Sequence, residues 1–293
     1  MTTAEHADLI AAAGFVIHEF PNGESVAYRD RDHAYFRDVN FVGSKVKGFG
    51  RLTGISTVVK PLDYQPDNLM AWGARIDHAG IAALAAEGLG CDDAWEIREA
   101  LGFLRDGESI HDALEQAGLR WQDTRDEAGR RGTRAHVLAL EALVSGQQTP
   151  TFDDIPEDER GYAAAVAAWW FDASPLPVCS EQVVADLGLG IAGRLDLVYL
   201  DPKTGQTVLC DLKTSKYASG KFAAQVALYA RCYALCGFGR IDRMEIVQAA
   251  EDGSYRVLAV EECEREALAA VECYRAAGRL SGQLRRAVKE ASE

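Results

Sequence analysis

The stretch GRLDLVYLDPKTGQTVLCDLKTSK, residues 193–216, decides how this chain is read. Two apolar runs flank DPKTG, a turn-forming sequence, so the segment reads as a β-hairpin. Each run nevertheless carries an aspartate, Asp196 in the first and Asp211 in the second, and Lys213 follows two positions later. Strand alternation puts Ala192, Arg194, Asp196 and Val198 on one face of the first arm. In the second arm Leu209, Asp211 and Lys213 share a face, opposite Val208, Cys210 and Leu212. The aspartates are 15 residues apart (211 − 196 = 15), two arms and a turn, so closing the hairpin brings them together.

Two converging carboxylates repel each other unless a cation lies between them. Mg²⁺ suits such a pair: it takes one or two carboxylates, keeps waters and accepts phosphate oxygens from a substrate. A neighbouring lysine would add a point charge for a phosphoryl transition state, or help align and deprotonate an attacking water. The competing reading is a salt-bridged hairpin with Asp211 and Lys213 solvated, and a lone D-x-K does not decide between the two.

Bulk properties narrow the setting. The 293 residues are 48% hydrophobic and 26% charged, enough for one large or two small domains with a sizeable core. There is no run of eighteen apolar residues, and MTTAEHADLI has no basic region before its apolar residues, so neither a membrane span nor a secretory signal is expected. Seven scattered cysteines, an odd number, fit small buried hydrophobes in a reducing cytoplasm. A net charge of −14 argues against a uniformly positive surface, yet leaves room for local basic strips. Three such strips are Lys45, Lys47 and Arg51; Arg130, Arg131 and Arg134; and Lys213, Lys216 and Lys221.

Along the chain, FVIHEFPNGESVAYRDRDHAYF reads as strand, turn and strand, and a short helix stops near Lys60-Pro61. From about Met70 to Gly146 the pattern is helical, and DERGYAAAVAAWWFDASP is another helix ended by prolines. Trp169-Trp170-Phe171 would anchor it to a sheet, and Trp72 reads as core, with stacking on a base as the alternative. Three strands then run from Pro177 to Thr214, followed by the helix SGKFAAQVALYARCYALCGF, a hairpin turning at EDGS and a charged amphipathic C-terminal helix. The expected fold is α/β, a central mixed β-sheet flanked by helices with a largely helical N-terminal half. The expected division is residues 1–125, a hairpin and helical region, and residues 126–293, the core with its terminal helix.

Five segments in order resemble the PD-(D/E)xK nuclease superfamily, in its RecB-like and phage-exonuclease branch. They are RGTRAH at 131–136, Glu181 in CSEQVVAD, GRLD at 193–196, DLK at 211–213 and QVALY at 225–229. The resemblance covers residues of about 130–250; upstream, TGISTVVKPLDYQPDNLMAWGAR more loosely resembles the lead-in of exonuclease-like proteins from actinobacterial phages. It implies a restriction-endonuclease-like core, Mg²⁺ or Mn²⁺ as cofactor, and hydrolysis of DNA phosphodiesters in phage or bacterial recombination and repair.

The resemblance assigns residues as follows. Asp196, Asp211, the backbone carbonyl of Leu212 and the imidazole of His136 would hold the metal. Glu181 would bind it through water or position the nucleophile, Lys213 would be the catalytic lysine, and Gln225 would hold Lys213 or a phosphate. Arg131, Thr133 and Arg134, with Lys216, Lys221 and Tyr229, would contact DNA; Gln225 and Tyr229, four apart, share a helix face.

Some relatives of this type carry an iron–sulfur cluster, with one cysteine upstream and three closely spaced downstream. Here Cys91 lies upstream and Cys232, Cys236, Cys263 and Cys273 lie downstream, the last two ten apart, so buried thiols account better for them. GSKVKGFG is not a phosphate-binding P-loop, so a helicase, recombinase or annealing partner would be a separate chain. With no readable specificity element, an exonuclease fits best. The rivals are a flap or single-strand endonuclease and a non-catalytic DNA-binding module.

Overall fold

The structure, a computed structural model, describes residues 3–42, 45–62, 142–145 and 155–290, together with positions 79, 120 and 122. The chain divides into two compact units, one of Met1–Asp63 with His136–Glu293 and one of Tyr64–Ala135. The first unit holds the described elements. In chain order they are α1 (Thr3–Ala12), β1 (Phe15–Glu19), β2 (Ser25–Arg29), β3 (Ala34–Val42), β4 (Lys45–Gly54) and α2 (Ile55–Val58). After these come α3 (Ala142–Ser145), α4 (Glu157–Ala173), β5 (Leu176–Asp186), β6 (Ile191–Leu200) and β7 (Thr207–Lys213). The chain continues through α5 (Gly220–Leu235), β8 (Arg243–Ala249), β9 (Tyr255–Val260) and α6 (Glu264–Glu290).

The strands form one mixed sheet in the order β1-β2-β3-β4-β6-β7-β8-β9, with β5 paired to β6 from its other edge. Most neighbours are antiparallel; β4 with β6 and β7 with β8 are parallel. Helices cover both faces. Leu195, Val198 and Leu209 pack with Leu228 and Cys232 of α5, Ala267 and Val271 of α6 and Ile55 of α2. On the opposite face Leu197, Tyr199, Val208 and Cys210 meet Ala165, Val166 and Trp169 of α4. From Leu197 onward strand alternation sorts the two cores, Val198 and Leu209 to one side and Leu197, Tyr199 and Val208 to the other, whereas Leu195 joins the Val198 side against that parity.

The sheet's middle explains why a site forms there. The parallel ladder of β4 with β6 covers only Thr53↔Ile191 and Gly54↔Ala192. The antiparallel ladder of β7 with β6 begins at Leu197↔Cys210. Residues 193–196 thus lie between the carboxyl ends of two strands that approach the same edge of β6 and diverge. Crevices outside strand ends of this kind are where α/β sheets bind ligands.

The N-terminal part departs from expectation. Residues 3–62 hold four strands and a helix before β1, whereas the sequence suggested one hairpin and then helix. FRDVNFVGSKVKGFGRL alternates weakly, and its strands gain stability from joining a large sheet rather than from their own pattern. The helical expectation for 70–146 and Trp72 lie outside the described residues, apart from α3 and positions 79, 120 and 122. Phe171 also departs: Trp169 is buried at 2%, but Phe171 is 72% exposed and anchors nothing. Among the described residues no helix is long and apolar enough to cross a membrane.

His18 on β1 gives a testable consequence of this packing. Burial first, and the Arg194 cation second, lower its pKa below the ordinary 6.5. A depressed folded-state value means stability present above the ordinary pKa and lost as pH falls through the lowered one. His18→Gln is therefore expected to lose less stability than the parent between about pH 7 and about pH 5, read by denaturant midpoints. An equal loss in both proteins would remove His18 as the source.

Candidate active site

Continuing the β6–β7 register by one step beyond Leu197↔Cys210 sets Asp196 across from Asp211. At that step the Leu212 amide donates to Asp196 Oδ2 at 2.7 Å. The carboxylate fixes the backbone where the strands part. Asp211 is only 1% exposed, and Lys213, one pleat further on the same face, is ion-paired with it. Lys213 Nζ also donates to the Leu212 carbonyl at 3.4 Å and lies 5.3 Å from the centre of the Phe222 ring. Burial works against the ammonium ion, but Asp211 and Asp196 together outweigh it, and the Lys213 pKa stands above its ordinary value. In this environment Lys213 is a cation at neutral pH.

Glu181 joins from the other edge. Ser180↔Leu197 and Gln182↔Leu195 flank it, placing Glu181 opposite Asp196. Its φ is 50°, the left-handed region that non-glycine residues occupy at a cost of roughly 1–3 kcal/mol. Such a distortion inside a strand redirects a side chain, and here it lies beside a carboxylate cluster. Glu181 Oε2 is 3.9 Å from Nη1 of Arg194. The Arg194 guanidinium also lies 4.7 Å above the Tyr28 ring, tying β2 to the site.

Helix α5 closes the floor. Ser219 caps it, accepting from the Lys221 amide at 3.4 Å. Gln225 Nε2 donates to the Tyr229 hydroxyl at 3.1 Å. Tyr229 is 4% exposed, and its phenol is pushed well above its ordinary pKa by burial, then by Asp211 and Asp196. A Cβ on Gly193 would lie 2.6 Å from Tyr229 Cε1 and 3.3 Å from Ile55. The glycine of G-x-x-D thus leaves room for the tyrosine of Q-x-x-x-Y, which ties the two segments together.

The structure therefore brings together Glu181, Asp196, Asp211, Leu212 and Lys213, with Gln225 and Tyr229 on the adjoining helix face. Lys216 is exposed and Lys221 partly exposed at the start of α5. Arg131, Thr133, Arg134 and His136 lie outside the described residues. Cys91 does too; Cys232 is buried in the core and Cys236 Sγ donates to the Ala185 carbonyl at 3.4 Å.

Sequence reasoning passed over Arg194. Its signal was present: alternation puts it on the face of Asp196, a cation one pleat from a carboxylate. A cavity of about 580 Å³ beside it is lined by Gly193, Arg194 and Tyr229 and by Arg51, Ser56 and Thr57 from the N-terminal part. Arg51 stood out only as part of a basic strip and Ser56 and Thr57 carried no readable signal, because only the β4–β6 pairing places them here.

Among the described residues, no three of His, Cys, Asp and Glu form a group that could hold a metal alone. The donors that do adjoin are hard oxygens, the carboxylates of Asp196 and Asp211 with the Leu212 carbonyl. That set suits Mg²⁺ or Mn²⁺, which need few protein ligands when phosphate and water complete the shell.

The sequence matches no protein-family model and no curated protein. Among solved structures, the chain is similar to an alkaline exonuclease (LHK-Exo) from Laribacter hongkongensis. That likeness has 13% identity and a TM-score of 0.33, over 55% of this chain and 84% of that one. The protein SSO0001 is similar at 16% identity and a TM-score of 0.26, over 37% of this chain and 53% of that one. The chain thus matches about half the length of SSO0001.

Proposed function

We propose that this chain is a divalent-metal-dependent nuclease that hydrolyses DNA phosphodiesters, working from strand ends. The observation that carries the reading is the meeting of Asp196 with the Asp211-Leu212-Lys213 segment where β6 and β7 diverge. A salt-bridged surface hairpin would leave these groups solvated, whereas Asp211 is 1% exposed. Burying a carboxylate is costly, and one buried beside a second carboxylate and a lysine where strands diverge is a functional-site candidate.

In this reading Asp196, Asp211 and the Leu212 carbonyl hold Mg²⁺ or Mn²⁺, with His136 as a further ligand. When bound, the metal supplies Lewis acidity at a phosphate oxygen and lowers the pKa of a water. The chain's own residues do the rest. Lys213, kept cationic by its carboxylate neighbours, stabilises charge on the phosphoryl oxygens as water attacks phosphorus and the P–O ester bond breaks. Glu181 orients the water, and Arg194 holds the Glu181 carboxylate in place and adds positive charge to the cleft. Arg131, Thr133, Arg134, Lys216 and Lys221 bind the phosphate backbone, and Gln225 positions Tyr229 over Gly193.

The test uses purified chain with linear DNA labelled at either end and covalently closed plasmid. With Mg²⁺ or Mn²⁺ the linear substrate is expected to shorten progressively while the closed circle survives, and EDTA is expected to stop all cleavage. Undiminished cleavage in EDTA would remove the metal reading. Linearisation of the plasmid at the rate of linear DNA would replace exonuclease by endonuclease.

A further inference from the structure

The loop leaving Lys213 carries a feature that catalysis does not use. Tyr217 is 74% exposed, four residues beyond the lysine, in the connection from β7 to α5. The loop that presents it is tethered. Ser215 Oγ donates to the Tyr217 carbonyl at 3.0 Å and accepts from the Tyr217 amide at 3.4 Å. The Ser215 carbonyl in turn accepts from the Gln248 side chain of β8, and Gln248 is held by Arg256 at 2.8 Å. The phenol thus projects to solvent from a backbone fixed to the sheet, so a ring contact made there would cost little ordering. Cations surround it in sequence: Lys213 before, Lys216 beside and Lys221 after. Lys213 and Lys221 each place Nζ 5.3 Å from the Phe222 ring.

We infer that Tyr217 is a stacking platform for an unpaired nucleobase next to a phosphate at Lys213. The inference rests on the nuclease reading and deepens it by naming the substrate class, a single strand or a frayed end. Four residues span at most about 14 Å, so the ring serves nucleotides adjoining the phosphate at Lys213. Aromatic rings interleaved with cations are how single strands are held without sequence preference: rings take bases, ammonium groups take phosphates. Bases inside a duplex are already stacked and paired, so the same ring gains little from them.

The experiment measures binding of a thymidine decamer, the same decamer with abasic sites throughout, and a blunt duplex, all in EDTA so that no turnover consumes the probe. Tyr217→Ala is expected to weaken binding of the decamer about 5- to 150-fold, the ~1–3 kcal/mol of one base–aromatic stack. Its binding of the abasic strand should match the parent's, and Tyr217→Phe should bind the decamer as the parent does. At 74% exposure the side chain leaves no cavity when removed, and melting of the variant checks this. Unchanged decamer binding by Tyr217→Ala, an equal loss on the abasic strand, or no binding by the parent would each overturn the inference. Mg²⁺-dependent cleavage by the parent is scored separately: its absence would remove the nuclease reading and leave the stacking result standing.

Discussion

Replacing Lys213 with alanine is expected to lower turnover by about 10²–10⁴, the range for a positioned charge or acid–base group. The same change should also destabilise the metal-free protein, because Asp211 is 1% exposed and Lys213 is its ion-pair partner. Breaking a buried pair from one side costs about 3–5 kcal/mol; the lysine side chain is 19% exposed, which places this case toward the lower end. A divalent cation beside Asp211 would compensate the stranded carboxylate. Added Mg²⁺ is therefore expected to raise the melting temperature of Lys213→Ala more than that of the parent, without restoring its rate. A purely structural lysine would give the opposite pairing, with activity recovering alongside stability. Near-parental turnover by Lys213→Ala would remove the catalytic assignment.

Gly193→Ala should be the most damaging single-methyl change in the cleft. Its Cβ would stand 2.6 Å from the ring edge of Tyr229, which is 4% exposed and pinned by Gln225. At that distance the ring or the backbone must shift, so overpacking of about 1–3 kcal/mol is expected. Tyr229→Leu in the same chain should recover part of that loss, because it removes the clashing ring edge, whereas Tyr229→Phe should recover none. Chemical denaturation of the parent, Gly193→Ala, Tyr229→Leu and their double variant gives the coupling energy directly. Additive losses in the Leu double variant would show that the ring is not what excludes a side chain at 193.

Much of this centre could be read from residue order alone. Strand parity put Asp196 with Val198 and Asp211 with Leu209 on one face, and Val198↔Leu209 is a register pair. Turn-formers at DPKTG and EDGS set hairpins that the strands β6–β7 and β8–β9 bracket. What parity cannot give is backbone distortion or distant pairing. The left-handed φ of Glu181 lies between the register pairs Ser180↔Leu197 and Gln182↔Leu195 of the one β5–β6 ladder, and a glutamate carries no local mark of it. Strands β3 and β4 are set by a large sheet rather than by strong alternation. Arg194 was legible in position but not in role, since its partners Glu181 and Tyr28 come from separate strands.

The short parallel ladder between β4 and β6 also bears on how the chain is made. Thr53 waits for Ile191, 138 residues later (191 − 53 = 138). At ribosomal speeds of about 5–20 residues per second, that is about 7–28 s of synthesis. During that interval the β1–β4 meander has an open edge and no partner for Thr53-Gly54, a pairing of high sequence separation that comes late in folding. Asp196, Asp211 and Lys213 emerge after it. A nascent chain truncated anywhere before β7 therefore lacks Asp211 and Lys213, on which the proposed cleavage centre depends.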